Sequence, residues 1–284
     1  SKYNADGTKE WTRLLGTSDN DSANALTTGA DGSIYIAGET TGDLDGETNH
    51  GGYKDAFISK FNSDGKKDWT RLLGTSINDS DWIEFTKNSI TTGTDGSIAL
   101  TTGADGSIYI AGRTEGDLDG QTHSGGFYDA FISKFNVDGT KDWTRLLGTS
   151  NRDEAHALTT GADGSIYIAG RTGGNPDGQT NSGGLDAFIH QFKPDGTKDW
   201  TRLFGTSVND SANALTTGVD GSIYIAGGTF ADLDGQTNSG RYDAFINKLI
   251  EKVNSIDENI YPGSLVATLS TSDQDVSDTH TYTL

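Results

Sequence analysis

Short apolar runs alternate with polar positions along this chain, and the runs recur. The phrase ALTTGADGSIYIAG begins at Ala25 and returns at Ala99 and Ala157. It returns again from Ala214 with Val219 in place of Ala. ALTT and SIYIAG read as two strands, because period-two alternation gives a strand one buried face. They join at Asp31–Gly32 and its equivalents, where Gly reaches positive φ at low steric cost. A second pair, DAFISKF and KDWTRLLG, joins at Asp64–Gly65 and its equivalents. A polar loop separates the pairs, such as RTEGDLDGQTHSGGFY at 113–128.

The phrase recurs at intervals of 74, 58 and 57 residues. The excess in the first interval is an insertion at 77–98, INDSDWIEFTKNSITTGTDGSI, whose end echoes TTGADGSI. It predicts an added hairpin between the first two units. Four antiparallel strands in about 57 residues is the size of a propeller blade. Residues 1–16 start partway through a strand, and DAFINKL from Asp243 stops before its DGTKDW partner. The expected fold is therefore all-β: a β-propeller of four-stranded antiparallel blades, four in this chain. Residues 8–16 are expected to close the ring beside DAFINKL, which would remove the exposed sheet edge. Residues 1–249 form the expected propeller, and 250–284 a linker and an incomplete segment.

The repeats resemble the bacterial seven-bladed β-propeller repeat family, with its DG.IY..G and GG.DAF..K....G...W segments. The matching residues in one unit are Asp105-Gly106-Ser107-Ile108-Tyr109, Gly112, Gly125-Gly126, Asp129-Ala130-Phe131, Lys134, Gly139 and Trp143. The resemblance covers about residues 1–249 and implies a propeller, with seven blades in the family's name against four units here. Residues 256–284 resemble the opening of a cadherin-like domain through Asp257-Glu258-Asn259, Gly263, Val266, Leu269, Asp273, Asp275, Tyr282 and Leu284. That resemblance implies calcium-binding positions at Glu258, Asp273 and Asp275.

Composition agrees with many short strands and tight turns: 32% of residues are hydrophobic and 39 are glycine. Forty-one acids against 21 bases give a net charge of −20, which argues against a nucleic-acid or anionic-membrane partner. With no cysteine there is neither a disulfide framework nor thiolate chemistry. No apolar run is long enough to span a membrane. The chain opens at Ser1 without a signal-like segment, compatible with removal of a targeting sequence.

The blade loops hold the one repeated polar constellation. Asp43 and Asp45, Asp117 and Asp119, and Asp232 and Asp234 place carboxylates two apart before a Gly, a spacing that can wrap Ca²⁺. The same residues suit Asx-turns that shape a long loop. Asn49, Asn181 and Asn238 in these loops, with Trp82 in the insertion, are the candidate ligand contacts. Trp11, Trp69, Trp143 and Trp200 recur on the fourth strand and read as packing between blades, with basic stems across the rings. No HExxH or GxSxG occurs, and glycine-rich stretches do not lead into helices. No cofactor is expected beyond possible Ca²⁺. The expected function is non-catalytic: a binding, adhesion or structural module of a large bacterial surface or secreted protein. The expected partners are proteins or glycans at a cell surface, with self-association possible. The alternative is a multivalent lectin.

Overall fold

The repeats fold into antiparallel sheets because each alternating run is bounded by an Asp-Gly turn. The computed structural model describes residues 1–51, 54–75 and 98–249, together with the backbone of 90–91. A short ribbon pairs β1 (Lys2–Tyr3) with β2 (Lys9–Trp11). Unit one is the sheet β3 (Asp21–Thr28), β4 (Ile34–Thr40), β5 (Asp55–Phe61) and β6 (Lys67–Leu73), paired in chain order. In unit two, β7 (Ile90–Thr91) and β8 (Ala99–Thr102) both pair with β9 (Ile108–Thr114). It continues with β10 (Asp129–Phe135) and β11 (Lys141–Leu147). Unit three is β12 (Asp153–Thr160), β13 (Ile166–Thr172), β14 (Asp186–Phe192) and β15 (Lys198–Phe204). Unit four has three described strands, β16 (Asp210–Thr217), β17 (Ile223–Thr229) and β18 (Asp243–Leu249).

The insertion takes part in unit two itself. Ile90 pairs with Thr114 and Thr91 with Arg113, the place that Asp153 and Glu154 take against Thr172 and Arg171 in unit three. Residues 90–91 thus supply the first half of that unit's first strand. The rest of the insertion up to 97, with Trp82, lies outside the described residues.

A bulge recurs in the first strands, with Asn24, His156 and Asn213 each skipped by the register. Opposite it stands a glycine. A Cβ on Gly170 would lie 1.8 Å from the carbonyl oxygen of Glu154, so no larger residue fits.

Each unit has two unlike apolar faces, set by the parity of its central strands. Tyr35, Ala37, Ala56 and Ile58 of unit one pack against Ile108, Ile110, Phe131 and Phe135 of unit two. Tyr109, Ala111, Ala130 and Ile132 meet Ile166, Ile168, Phe188 and Phe192 of unit three. Tyr167, Ala169, Ala187 and Ile189 meet Ile223, Ile225, Phe245 and Leu249 of unit four. Small residues on one face make room for large ones on the next, as dense packing requires.

Two further devices bind neighbours. The first strands are stitched in order by Thr102 Oγ1 to the Thr28 carbonyl, Thr160 Oγ1 to Thr102 and Thr217 Oγ1 to Thr160. At the outer edge, the Trp69 ring lies on the Gly139 turn and Trp143 on Gly196. Arg71 and Arg145 sit over these rings and donate Nε–H to the same glycine carbonyls at 3.0 and 2.9 Å.

The pairing expected to close the ring is absent from this structure. β2 pairs with β1, and Trp11 and Arg13 engage the Gly65 turn of unit one as Trp69 and Arg71 engage Gly139. Leu15 packs beside Phe57 of unit one, the role of Leu147 against Phe188 at the next junction but one. Among the described residues no strand pairs with the outer edge of β18. The tryptophan–arginine clamp docks residues 11–15 on the following turn, as it docks β6 and β11 on theirs. The sheets therefore run in an open series. The cadherin-like segment and its Glu258, Asp273 and Asp275 lie outside the described residues.

Candidate functional site

The long loops after the second strands are built alike. Asp45, Asp119, Asp177 and Asp234 have φ of 57, 52, 52 and 48°, left-handed values that Asp tolerates better than most residues. The first acid of each pair fastens the loop to itself: Asp43, Asp117 and Asp232 Oδ1 accept the backbone N–H of Asn49, His123 and Asn238. Asn175 does the same for Asn181 in unit three. The second acid reaches the fourth strand. Asp45 meets Lys67 and Thr70, Asp119 meets Lys141 and Thr144, and Asp177 meets Lys198 and Thr201. The two carboxylates of a pair thus serve different partners, and in units one and two a lysine ammonium stands beside the second of them. Among the described residues no three His, Cys, Asp or Glu side chains come together as a metal site.

The candidate asparagines are also absorbed by the loop. Asn49, Asn181 and Asn238 accept from Gly51, Gly183 and Gly240 N–H. Asn181 and Asn238 donate their amides to the carbonyls of Thr172 and Thr229. The Asn49 amide nitrogen is buried without a partner.

Two rows of buried acids lie at the same end of the sheets. Asp55, Asp129 and Asp186 start the third strands and are fully buried. Each accepts a loop N–H, from His50, Ser124 or Ser182, and burial raises each carboxyl above its ordinary range. Asp153 and Asp210 start first strands. Asp153 accepts from Thr149 N–H, Thr149 Oγ1 and Thr172 Oγ1, yet burial pushes it up to about 6.

One junction breaks the repeat. Glu154 occupies the position held by Ser22 and Ser211 in the other first strands. It is fully buried between units two and three. Its carboxylate accepts from Arg113, from Arg152 Nε and Nη2 at 2.7 and 2.6 Å, and from Arg171 Nε and Nη2 at 2.7 and 2.6 Å. His156 Nε2 lies 3.4 Å away. Burial alone would raise this carboxyl, but His156 and the three guanidinium groups outweigh it and hold it well below the ordinary range. Arg113 and Arg152 stack on the Tyr128 ring, 3.9 and 5.3 Å from its centre. Beside them opens a cleft of about 930 Å³, lined by Glu115, His123, Phe127, Tyr128, Arg152 and Leu185 among others. Phe127 is 81% exposed on its rim.

Composition and motif spacing did not single out this cluster. Its signal was the comparison of copies: DEAHAL against DSANAL, IAGRT against IAGET and IAGGT, and GGFYDAF against GGLDAF.

Residues 10–45 match the model of the SBBP beta-propeller repeat family. Over 212 residues, 70% of this chain, the sequence is 32% identical to the regulatory protein FlaEY of Caulobacter vibrioides (strain ATCC 19089 / CIP 103742 / CB 15). The chain spans 21% of that protein's length. Among solved structures, a xylan beta-1,4-xylosidase from Bacillus halodurans C-125 is similar with a TM-score of 0.41 and 16% identity. That match covers 84% of this chain and 43% of the enzyme. A protein of unknown function from Bacteroides caccae is similar with a TM-score of 0.36 and 10% identity, over 73% of this chain and 54% of the other.

Proposed function

We propose that this chain is a non-catalytic binding module of propeller repeats within a larger bacterial surface or secreted protein. It would meet a protein partner at the loop end between units two and three. The observation that carries this reading is where the copies differ. The identical positions are spent on packing, stitching and loop closure, whereas Phe127, Tyr128 and the Glu154 cluster converge beside one cleft. An exposed aromatic on a polar cleft rim suits an apolar–aromatic segment of a protein partner. The regulatory protein FlaEY and the repeat match both favour a role in contact rather than reaction.

The test is a pair of arrays, one of peptides and one of glycans, probed with the wild type and with Phe127→Ser. Peptide binding that the variant loses at unchanged melting temperature supports the reading. Calcium-dependent glycan binding, unaffected by the variant, would replace it with the lectin.

A further inference from the structure

The two apolar faces that meet at every internal junction recur at opposite ends of the series, open on unit four and half covered on unit one. Ile58, Ile132 and Ile189 are 0% exposed, whereas their equivalent in unit four, Ile246, is 76% exposed. Tyr224, Ala226 and Ala244 share that face, in register with Tyr35, Ala37 and Ala56. Unit one carries the opposite face, of Ile34, Ile36, Phe57 and Phe61. Its outer half is covered by Leu15, but Leu26 on the first strand remains 69% exposed.

The same division holds for the strands. Among the described residues unit four has no fourth strand on the edge of β18, and residues 9–15 carry the fourth-strand sequence KEWTRLL. Leu14 in that stretch is 96% exposed, although its equivalents Leu72 and Leu146 pack into the core clusters.

We propose that the open face of unit four docks onto unit one of a second copy of this chain, head to tail. In that junction residues 9–15 of the second copy complete the sheet of unit four along β18. The register follows from β10 and β11, where Ser133 faces Thr144 and Phe131 faces Leu146. It places Asn247 opposite Thr12 and Phe245 opposite Leu14. The face is thus continuous in kind with three interfaces already formed inside the chain, and its mate has the same residues as theirs. Such an interface is heterologous, so copies would close into a ring or extend as a filament. At a net charge of −20 per copy, added salt should strengthen the association.

The chain has no cysteine, so crosslinking is clean. The test uses the full chain with Thr12→Cys and Asn247→Cys together, oxidised and weighed under denaturing conditions, with light scattering on the wild type. The equivalent pair Ser133 and Thr144 lie with hydroxyl oxygens 2.8 Å apart, so paired cysteines would be within bonding reach. The expected result is covalent species of two or more copies, together with a wild-type mass that rises with concentration. Mixing chains that carry one cysteine each should give a crosslinked dimer, and Ile246→Asp should abolish it without lowering the melting temperature of dilute protein. A monomer with an internal disulfide would overturn the proposal in favour of closure within one chain. Absence of any crosslink, with a wild type monomeric at all concentrations, would overturn it outright.

Discussion

β10 and β18 carry nearly the same seven residues, DAFISKF and DAFINKL, in different surroundings. Every residue of β10 is buried, while β18 alternates between half-buried and exposed. Asp153 and Asp21 make the same contrast. Both accept from a Thr N–H, the same Thr hydroxyl and a Thr hydroxyl across the sheet. Inside the series burial wins and raises Asp153 to about 6; at the end burial also pushes Asp21 up, but the hydrogen bonds from Thr40 and Thr17 together outweigh it and hold Asp21 below its ordinary value. Local sequence sets strand and turn. Position in the series sets burial, and with it both energetics and free surface.

The sharpest break of this contrast is at Glu154. Glu154→Gln would leave Arg113, Arg152 and Arg171 facing a neutral group, at a cost of about 3–5 kcal/mol in urea unfolding. Ser22→Ala, the matching end position, should cost under about 0.5 kcal/mol. Next come the isoleucines. Ile132→Ala should cost about 3 kcal/mol, through lost burial and a cavity. Ile246→Ala should cost well under about 1 kcal/mol in dilute protein. Equal losses would show that unit four's face is covered.

The acids come third. Asp153 binds its proton more tightly folded than unfolded, so its contribution to stability is present below pH 4 and is lost as pH rises toward about 6. The loss is up to about 3 kcal/mol. Asp21 has the opposite sign: its contribution is present at neutral pH and is lost on acidification below its ordinary value. Asp153→Asn should flatten the wild type's decline between pH 4 and 6, and Asp21→Asn should not. The smallest effect is calcium's. With Lys67, Lys141 and Lys198 on the loop acids, melting in Ca²⁺ and in chelator should agree within about 1 °C.

The sequence made the strands, the hairpin turns and the unlike faces legible, because period-two alternation and Asp-Gly fix these locally. It could not show which sheet the fourth-strand sequence at 9–15 would join, since the tryptophan–arginine clamp and the β ladder call for different neighbours. The loop acids were legible as a constellation but not as ion pairs, because Lys67 and Thr70 approach Asp45 only after the sheet forms. The Glu154 cluster gathers residues from positions 113, 152, 154 and 171 across two sheets, beyond the reach of any local motif.

Amide hydrogen exchange of β10 and β18, measured side by side in dilute protein, tests most directly whether position in the series decides burial. The β10 amides should be protected to near the global stability, and the β18 amides not bonded to β17 should exchange orders of magnitude faster. Equal protection of the two strands would contradict the open series and the free face on which this account rests.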